Sequence, residues 1–420
     1  MFRSTKRARV SATTEGPISS SSSLIASAPD KHALFTSWAQ DRGITIKSAA
    51  AKVLPGRGAG LIATKNIKSK SSIVSVPSTM LFKPDTKVLK RHALDRTASP
   101  QAKLAFSLTV ALAEGNLAEW SSTWPTMGDF EASMPMFWPE HVLAHLPSSV
   151  AAPLARQRTD YTRDWACVQK AVKSLGLSER TFGYAWCIAN SRSFSWKGQM
   201  VLCPWVDYMN HAAKGSCEVI VGEGGFEVKA AGDVAEGEEL TFAYGAHSND
   251  KLLVHYGFVP ESTIHHASPD DEIRLDHVIL PQLSEHVKSQ LQDLGYLGSY
   301  ALLAPENPCS GSSNCSKCGA QVWELCFKTQ VAIRAAVLSC NEWEYFATNG
   351  EDLVEDQSHA VFEWLRPFLD NYRLEADREM SAINRLCITD KEKAAAWASL
   401  DTRWQQTRNA IAAHLEANDM

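Results

Sequence analysis

The chain has no uninterrupted apolar segment that approaches the ~20 residues a helix needs to cross a bilayer. It also lacks an excess of charge of either sign, since 42 lysines and arginines face 47 aspartates and glutamates, for a net charge of −5. A nucleic-acid or anionic-membrane partner would call for a basic surface, so the composition gives no reason to expect either. We therefore expect a soluble intracellular protein whose partner is another protein or a peptide.

No cysteine pattern typical of a disulfide framework is present among the 10 cysteines of the 420 residues. We expect reduced core thiols at the four cysteines in segments that read as buried helix or strand, which are Cys167, Cys187, Cys203 and Cys217.

A single C-x-x-C pair, Cys315 with Cys318, hints at a zinc site together with Cys309 and Cys326. Such a lone pair is a weak signal, and Cys326 falls in a segment that reads as helix. We prefer the interpretation that these residues belong to an inserted loop with free thiols, and we predict no metal site.

Length and composition divide the chain into parts. At 420 residues it exceeds what one hydrophobic core usually serves, so two domains are predicted, and no internal repeat is visible. Residues 1–30 are basic and Ser-rich with few large apolar residues, which predicts a disordered arm. Their composition also suits a mitochondrial presequence, and the run from Lys6 to Arg9 suits a weak nuclear signal. Cytoplasmic or nuclear localisation is the expectation we prefer.

The hydrophobic period changes along the chain. From Ile44 to Val76, β-branched residues alternate with polar ones and turns, which predicts short antiparallel strands. Residues 99–190 switch to a helical period and predict a helical insertion, after which short β-rich segments return between residues 200 and 244. Beyond about residue 265 the pattern is helical, and a near-heptad stripe from Trp397 to Ile411 predicts core packing.

Two segments carry the functional signal. One runs from Asp207 to His211 with the sequence DYMNH, and the other, ELTFAYG, runs from Glu239 to Gly245 and continues to HYGF at 255–258. Earlier blocks, GRGAGLIATKNI at 56–67 and SRSF at 191–194, stand in matching order. Together these blocks resemble the signatures of SET-domain protein lysine methyltransferases of the Rubisco large-subunit methyltransferase-like branch. The resemblance covers roughly residues 31–265.

That resemblance implies an α+β fold, with a β-rich SET core at residues 31–265 interrupted by the helical insertion. An all-helical C-terminal domain at residues 266–420 would then help to hold the protein substrate. It further implies S-adenosylmethionine as cofactor, contacted by the residues that match the family's cofactor site: Gly58, Ala59, Gly60, Arg192, Asp207, Asn210, His211 and Tyr244. Tyr244 is the implied catalytic residue, and Tyr256 would stand at the mouth of a lysine channel.

The glycine-rich block has a second interpretation, because Gly58, Gly60 and Ala63 fit a dinucleotide-binding fingerprint. That motif needs a helix after the glycines and an acidic residue about 20 residues further on. The residues after Ala63 are poor helix formers, and Asp85 lies rather far along, so the context disfavours this interpretation. Glycines without a Cβ instead let the backbone approach a cofactor closely.

The function implied is methyl transfer to a lysine side chain of a non-histone protein, for example a ribosomal protein. Two alternatives stay open. One is a catalytically weak SET scaffold that binds a partner, and the other is methylation of histidine, an acceptor known for one relative in this branch. The substrate protein, the number of methyl groups added and the oligomeric state are not predicted.

Overall fold

The computed structural model describes residues 30–94, 97–261, 267–305, 322–353 and 357–419. The predicted disordered arm therefore lies outside the described residues, except for Asp30, and so do Cys309, Cys315 and Cys318. Nothing in the structure bears on the zinc hypothesis at those three cysteines.

The strands are short. In chain order they are β1 (Thr45–Ile46), β2 (Ala49–Leu54), β3 (Gly58–Ala63), β4 (Ser72–Pro77), β5 (Ser193–Trp196), β6 (Gln199–Leu202), β7 (Asn210–His211), β8 (Cys217–Gly222), β9 (Gly225–Ala230), β10 (Glu239–Phe242), β11 (Glu272–Arg274), β12 (Ala301–Leu303) and β13 (Glu324–Leu325).

The helices fall mainly between the strands of the first half and after β13. They are α1 (Lys31–Asp41), α2 (Thr86–Arg91), α3 (Pro100–Ala113), α4 (Ala118–Ser121), α5 (Met127–Ser133), α6 (Glu140–Leu143), α7 (Ser148–Ser174), α8 (Glu179–Arg192), α9 (Asn249–Tyr256), α10 (Asp276–Ile279), α11 (Glu285–Asp293), α12 (Phe327–Val337), α13 (Cys340–Asn349), α14 (Ser358–Thr389) and α15 (Ala394–Asn418).

Two four-stranded sheets form the β-rich part, in the orders β1-β4-β9-β8 and β2-β3-β10-β7. In the second sheet β2 and β3 make an antiparallel hairpin, β3 pairs antiparallel with β10, and β10 pairs parallel with β7. This order places β7 and β10 side by side. They belong to the two signature segments, which some thirty residues separate along the chain. The second sheet is therefore the scaffold of the candidate site.

Helices α3 to α8 occupy the predicted insertion, and α14 and α15 dominate the C-terminal part. Local capping explains several of the starts: the side chains of Asp30, Ser99 and Ser178 each accept a backbone N–H of the first turn of α1, α3 and α8. The predicted α+β class with a helical C-terminal part is confirmed.

The C-terminal part also contains a small antiparallel sheet, β11-β12-β13, that the sequence pattern did not reveal. Its strands have only two or three residues. Strands this short do not establish a period-2 alternation, so the segment looked helical throughout.

Buried apolar side chains form two clusters. The first runs from Phe35 to Leu240 and lies under the β-sheets and α3 and α8. The second joins the C-terminal helices to Trp138, Val142, Val150 and Leu154 of the insertion, and it includes Leu253 and Val254 of α9. Trp397, Leu400, Trp404 and Ile411 belong to this second cluster and are at most 1% exposed, which confirms their predicted core role. Helix α9 thus packs on the C-terminal core.

The thiols predicted to be reduced are free in the structure. Cys187, Cys203 and Cys217 are buried and Cys167 is half-buried. Within the described ranges of the chain, no helix is both long and apolar enough to cross a membrane.

Candidate active site

The site is built where the segment after β7 wraps around β10. Thr241 and Phe242 of β10 pair with Asn210 and His211 of β7. A little further on, a Cβ on Gly215 would lie only 2.5 Å from the Phe242 Cα, so glycine is required for the chain to pass so close to β10. Reciprocal bonds between Thr241 and Ser216 fix this crossing, with the Thr241 N–H donating to Ser216 Oγ at 3.0 Å.

A polar cluster holds the Asn-His segment against the β2–β3 hairpin. The Asn210 Nδ2 donates to Glu239 Oε1 at 2.8 Å, and the other carboxylate oxygen of Glu239 lies 3.1 Å from the Arg57 guanidinium. Arg57 also donates to the His211 carbonyl at 3.1 Å. Arg57 and Glu239 therefore orient both residues of the predicted Asn-His pair.

Gly60 lies directly against this cluster. A Cβ there would approach Asn210 Nδ2 to 2.8 Å and Leu54 Cδ1 to 2.7 Å, distances that real Cβ contacts do not reach. The absence of a Cβ at Gly60 therefore makes room for the Asn210 amide. Gly58, with φ +71°, turns the chain from β2 into β3 in a conformation that suits glycine, and Ala59 follows it.

Arg192 and Asp207 form a second polar pair. Arg192 is the last residue of α8, and its guanidinium donates to the Asp207 carbonyl at 2.6 Å and lies 3.6 Å from the Asp207 carboxylate. The carboxylate also accepts the indole N–H groups of Trp120 and Trp124, both at 3.0 Å. Burial raises the pKa of Asp207, opposed by Arg192 and the two indoles. The Asp207 side chain is therefore directed into the interior and is only 3% exposed. It contacts the Arg192 guanidinium from the buried side.

Tyr244 stands at the centre of an aromatic group just after β10. Its hydroxyl donates to the Met209 carbonyl at 2.9 Å. Its ring centroid lies 5.0 Å from that of Tyr256, 5.1 Å from Phe242 and 5.3 Å from His211. Burial raises the pKa of Tyr244 to about 12, so the phenol is neutral at physiological pH.

Tyr256 closes the same group on its outer side. Phe258 lies 6.4 Å from it and His247 6.0 Å, measured between ring centroids. Tyr256 is the last residue of α9, and Gly257, with φ +76°, ends that helix. The two predicted catalytic tyrosines are therefore brought together, half-buried, within a group of aromatic rings.

Two histidines beside this group are held in their neutral form. The His211 Nδ1 accepts the Tyr244 N–H at 3.2 Å, and the amide of Asn190 bonds to both the His255 Nδ1 and the His255 carbonyl. Burial lowers the pKa of His211 to about 4 and that of His255 to about 4.

These two histidines predict a pH dependence of stability. Because their pKa values fall from 6.5 in the unfolded chain to about 4 in the fold, the unfolded state binds protons more readily between those values. The contribution is fully present above pH 6.5 and is lost as the pH falls towards 4. In denaturant titrations across this range, His211→Asn is expected to show a shallower loss of unfolding free energy than the wild type. His286→Asn, which changes an exposed histidine on α11, is the control, and equal slopes for His211→Asn and wild type would contradict the prediction.

The residues that the sequence argument missed are Arg57, Glu239 and Asn190. Arg57 and Glu239 lie inside the quoted signature blocks, so the blocks located them without giving them a role. Asn190 carries no motif, and only the packing of α8 against α9 shows its contact with His255.

Cys326, the one described member of the zinc hypothesis, precedes α12 as its N-cap residue and is not within the helix. Its Sγ lies 3.1 Å from the Thr329 Oγ1. Among the residues that the structure describes, no group of three or more His, Cys, Asp or Glu side chains is arranged to hold a metal ion.

Comparisons with known proteins agree with this geometry. The SET domain family matches residues 58–245. Over 352 residues the chain is 24% identical to Ribosomal lysine N-methyltransferase set11 of Schizosaccharomyces pombe, an alignment covering 82% of this chain and 83% of that protein. It is 25% identical over 260 residues to the chloroplastic Ribulose-1,5 bisphosphate carboxylase/oxygenase large subunit N-methyltransferase of Pisum sativum, covering 56% of this chain and about half, 52%, of that relative.

Among solved structures, that of Rubisco LSMT bound to sinefungin and monomethyllysine aligns with a TM-score of 0.60 at 15% identity, over 93% of this chain and 92% of that chain. At this identity the likeness shows a shared fold. Together with the family match and the crossing of β7 and β10, it supports the resemblance on which the sequence argument rested. The chain carries a SET domain at residues 58–245, and its sequence is similar to lysine N-methyltransferases named for ribosomal proteins and for the Rubisco large subunit.

Proposed function

We propose that this protein transfers a methyl group from S-adenosylmethionine to a lysine side chain of a non-histone protein. The proposal rests on one observation, which is that a polar surface and an aromatic surface meet at residues 207–211 and 239–244. One surface consists of polar groups held by Arg57 and Glu239, and the other is the aromatic group around Tyr244.

The polar surface fits the amino-acid end of S-adenosylmethionine. Within the described part of the chain, the Asn210 Oδ1 has no hydrogen-bond partner, and Arg192 uses only one of its terminal nitrogens. A free carbonyl oxygen suits an ammonium group, and the remaining guanidinium N–H groups suit a carboxylate. We propose that Arg192 and Asn210 hold the methionine part and that the backbone of His211 meets the adenine, with Gly58, Ala59, Gly60 and Asp207 framing the pocket.

The aromatic surface fits a lysine side chain. An unperturbed lysine has a pKa near 10.4, so only about one in 10³ is neutral and nucleophilic at pH 7. Rings of Tyr244, Tyr256 and Phe258 make an environment that disfavours the ammonium form. They also restrict the direction of the amine, and alignment with the reacting bond lowers the barrier by several kcal/mol in comparable cases.

S-adenosylmethionine supplies the electrophilic methyl group when it is bound. The Tyr244 hydroxyl already donates its proton to the Met209 carbonyl, which leaves the lone pairs of its oxygen for contacts with C–H groups. Each C–H···O contact is worth about 0.5–1 kcal/mol, so the fixed position of the oxygen matters more than any single contact.

For the substrate, we propose a non-histone protein, with ribosomal proteins favoured because of the similarity to the fission-yeast enzyme. We propose that residues 266–420 help to hold that protein and that the enzyme acts in the cytoplasm or nucleus. Incubation with methyl-labelled S-adenosylmethionine and a lysate of the source cell tests the function. Label on a lysine of a protein, located by mass spectrometry, is the expected result.

The two alternatives give different outcomes in the same assay. A scaffold without activity would leave every protein unlabelled while still capturing a partner, and a histidine methyltransferase would place the label on an imidazole. The free donors of Arg192 and the intact Tyr244 favour an active enzyme.

Tyr256 is expected to influence how many methyl groups are added. Its ring lies 5.0 Å from that of Tyr244 and borders the space where we place the amine. Tyr256→Phe removes a hydroxyl that accepts or donates as the amine changes protonation, without changing the ring packing. We expect a changed ratio of mono-, di- and trimethyllysine with cofactor affinity within a few-fold of wild type. Tandem mass spectrometry of the product measures the ratio, and an unchanged ratio would remove Tyr256 from this role.

A further inference from the structure

Tyr256 is the last residue of α9 and lies in the aromatic group. The first turn of α9 is held by residues that come later in the chain than the SET domain. Asn249 and Asp250, the first two residues of α9, are 1% and 2% exposed. Polar side chains at a helix start are usually solvated, and buried ones need partners. Those partners come from Asp271, just before β11, and from the last helix, α15.

Arg403 of α15 is the centre of this anchor and is 0% exposed. Its Nε donates to Asp250 Oδ1 at 2.5 Å, one terminal nitrogen donates to Asp271 Oδ2 at 2.8 Å, and the other donates to the Glu272 carbonyl at 3.0 Å. Three directions of the guanidinium are thus used on two segments, the start of α9 and residues 271–272. We name Arg403, Asp250 and Asp271, with Asn249 and Gln406, the α9 anchor.

Asn249 and Gln406 complete the anchor. The Asn249 N–H and side-chain amide donate to the two oxygens of Asp271 at 2.9 and 3.0 Å. The same amide donates to Gln406 Oε1 at 2.9 Å, and the Gln406 Nε2 donates to the Pro260 carbonyl at 2.7 Å. Gln406 therefore ties the start of α9 to the chain just beyond Phe258.

The other end of α9 is held from the insertion. Gln157 of α7 donates to the Val254 carbonyl at 2.8 Å, and Asn190 of α8 bonds to His255. Between these ends, Leu253 and Val254 pack in the C-terminal apolar cluster. The helix is fixed at both ends by directed hydrogen bonds, and those at its start depend on α15.

A gain in folding free energy does not by itself explain why an arginine is buried together with two aspartates. Replacing such a group by apolar residues is often neutral or stabilising, whereas removing one partner is strongly destabilising. Although burial opposes its charge, Asp250 and Asp271 hold the pKa of Arg403 above its usual value, so the guanidinium stays charged and directional. What the anchor supplies is one defined position of α9 relative to α15.

We infer that Arg403 is a positioning residue for the active site, acting through α9 on Tyr256, so that the C-terminal helical part shapes the acceptor pocket as well as holding substrate. This inference rests on the proposed function for the role of Tyr256. A division of labour in which the SET core alone forms the pocket is incompatible with it, because a chain ending at Glu261 lacks Asp271, Arg403 and Gln406.

The test compares Arg403→Lys with Arg334→Lys. A lysine keeps the charge but not the three-way geometry of the guanidinium. Arg334 of α12 is also a buried arginine, 8% exposed at the side chain, with two bonds to Asp352 at 2.9 Å, and the structure gives it no bond to α9. Both variants are therefore expected to lose stability, and only one is expected to affect α9.

Hydrogen exchange measured by mass spectrometry reads α9 directly and needs no turnover. In Arg403→Lys the amides of residues 252–257 are expected to exchange roughly tenfold faster or more than in wild type, while Arg334→Lys leaves them unchanged. Calorimetry with S-adenosylmethionine is expected to give wild-type affinity for both variants. On the labelled substrate, Arg403→Lys is expected to lower kcat and change the ratio of methylated products.

Unchanged α9 exchange in a folded Arg403→Lys, or equal changes in both variants, would overturn the inference. If Arg403→Lys does not fold, Gln406→Met gives the same readouts, because it removes the links to Asn249 and Pro260 while Arg403 keeps its aspartates. A wild-type protein without methyl transfer would overturn the proposed function, and the exchange result would still decide whether α15 positions α9.

Discussion

Replacing Tyr244 by phenylalanine is expected to lower kcat about a hundredfold or more while leaving affinity for S-adenosylmethionine within a few-fold, the size typical of losing one oriented transition-state group. The change removes a single oxygen. The ring keeps its neighbours Tyr256, Phe242 and His211, whose centroids lie 5.0 to 5.3 Å away, so the pocket retains its shape.

The expected split between kcat and affinity follows from the orientation of the hydroxyl. Its proton is used on the Met209 carbonyl, which aims the oxygen in a fixed direction before any substrate arrives. A preorganised oxygen stabilises positive charge that develops on the transferred methyl group, and such stabilisation acts mainly in the transition state.

Single-turnover kinetics on the labelled substrate, with calorimetry for the cofactor, measures both quantities. Tyr161→Phe is the control, because it also removes a hydroxyl that makes a side-chain hydrogen bond, to Glu179 at 3.3 Å, on the surface between α7 and α8. Near wild-type single-turnover rates for Tyr244→Phe would show that the hydroxyl has no part in transfer.

Much of the fold was predictable because its signals are local. The helical insertion and the C-terminal stripe depend on a hydrophobic period, which residues within a few positions of one another establish. The crossing of β7 with β10 was not predictable in this way, since a two-residue strand has no period. The resemblance of the signature blocks pointed to the two segments, and the structure shows how closely they approach at Gly215.

The sequence predicted which positions form the candidate site. It did not predict where their side chains point or which groups they contact. Asp207 is predicted to line the pocket, and the sequence did not indicate that its carboxylate accepts the indole N–H groups of Trp120 and Trp124. Arg57 and Glu239 read as ordinary charged residues in a turn and at a strand start. Their role follows from the register that places Glu239 beside Ile62, which no local pattern encodes.

The α9 anchor was hidden for the same reason. Asp250, Asp271 and Arg403 are spread over more than 150 positions, and each alone would be expected on a solvated surface. Chain length predicted two domains, and the structure adds that Leu253 and Val254 of α9 pack in the C-terminal apolar cluster.

Asn210→Ala is expected to weaken S-adenosylmethionine binding by roughly ten- to a hundredfold, the range for losing a hydrogen bond to a charged group. The Asn210 amide is held by Glu239 at 2.8 Å, so its free carbonyl oxygen is already aimed when the cofactor enters. Glu239 keeps its contact with Arg57 at 3.1 Å in the variant, which limits the loss of folding free energy to about 1 kcal/mol.

A matched control separates the cofactor contact from the amide–carboxylate bond itself. Asn116→Ala removes an amide that donates to Glu114 Oε2 at the same 2.8 Å, on an exposed turn away from the site. Calorimetric titration should show weaker binding only for Asn210→Ala, with both variants folded by circular dichroism. Because Gly60 leaves just enough room for the Asn210 amide, Gly60→Ala should displace that amide and weaken binding in the same direction. Wild-type affinity in a folded Asn210→Ala would remove this residue from the cofactor site and leave Arg57 and Glu239 as supports for the β7 crossing alone.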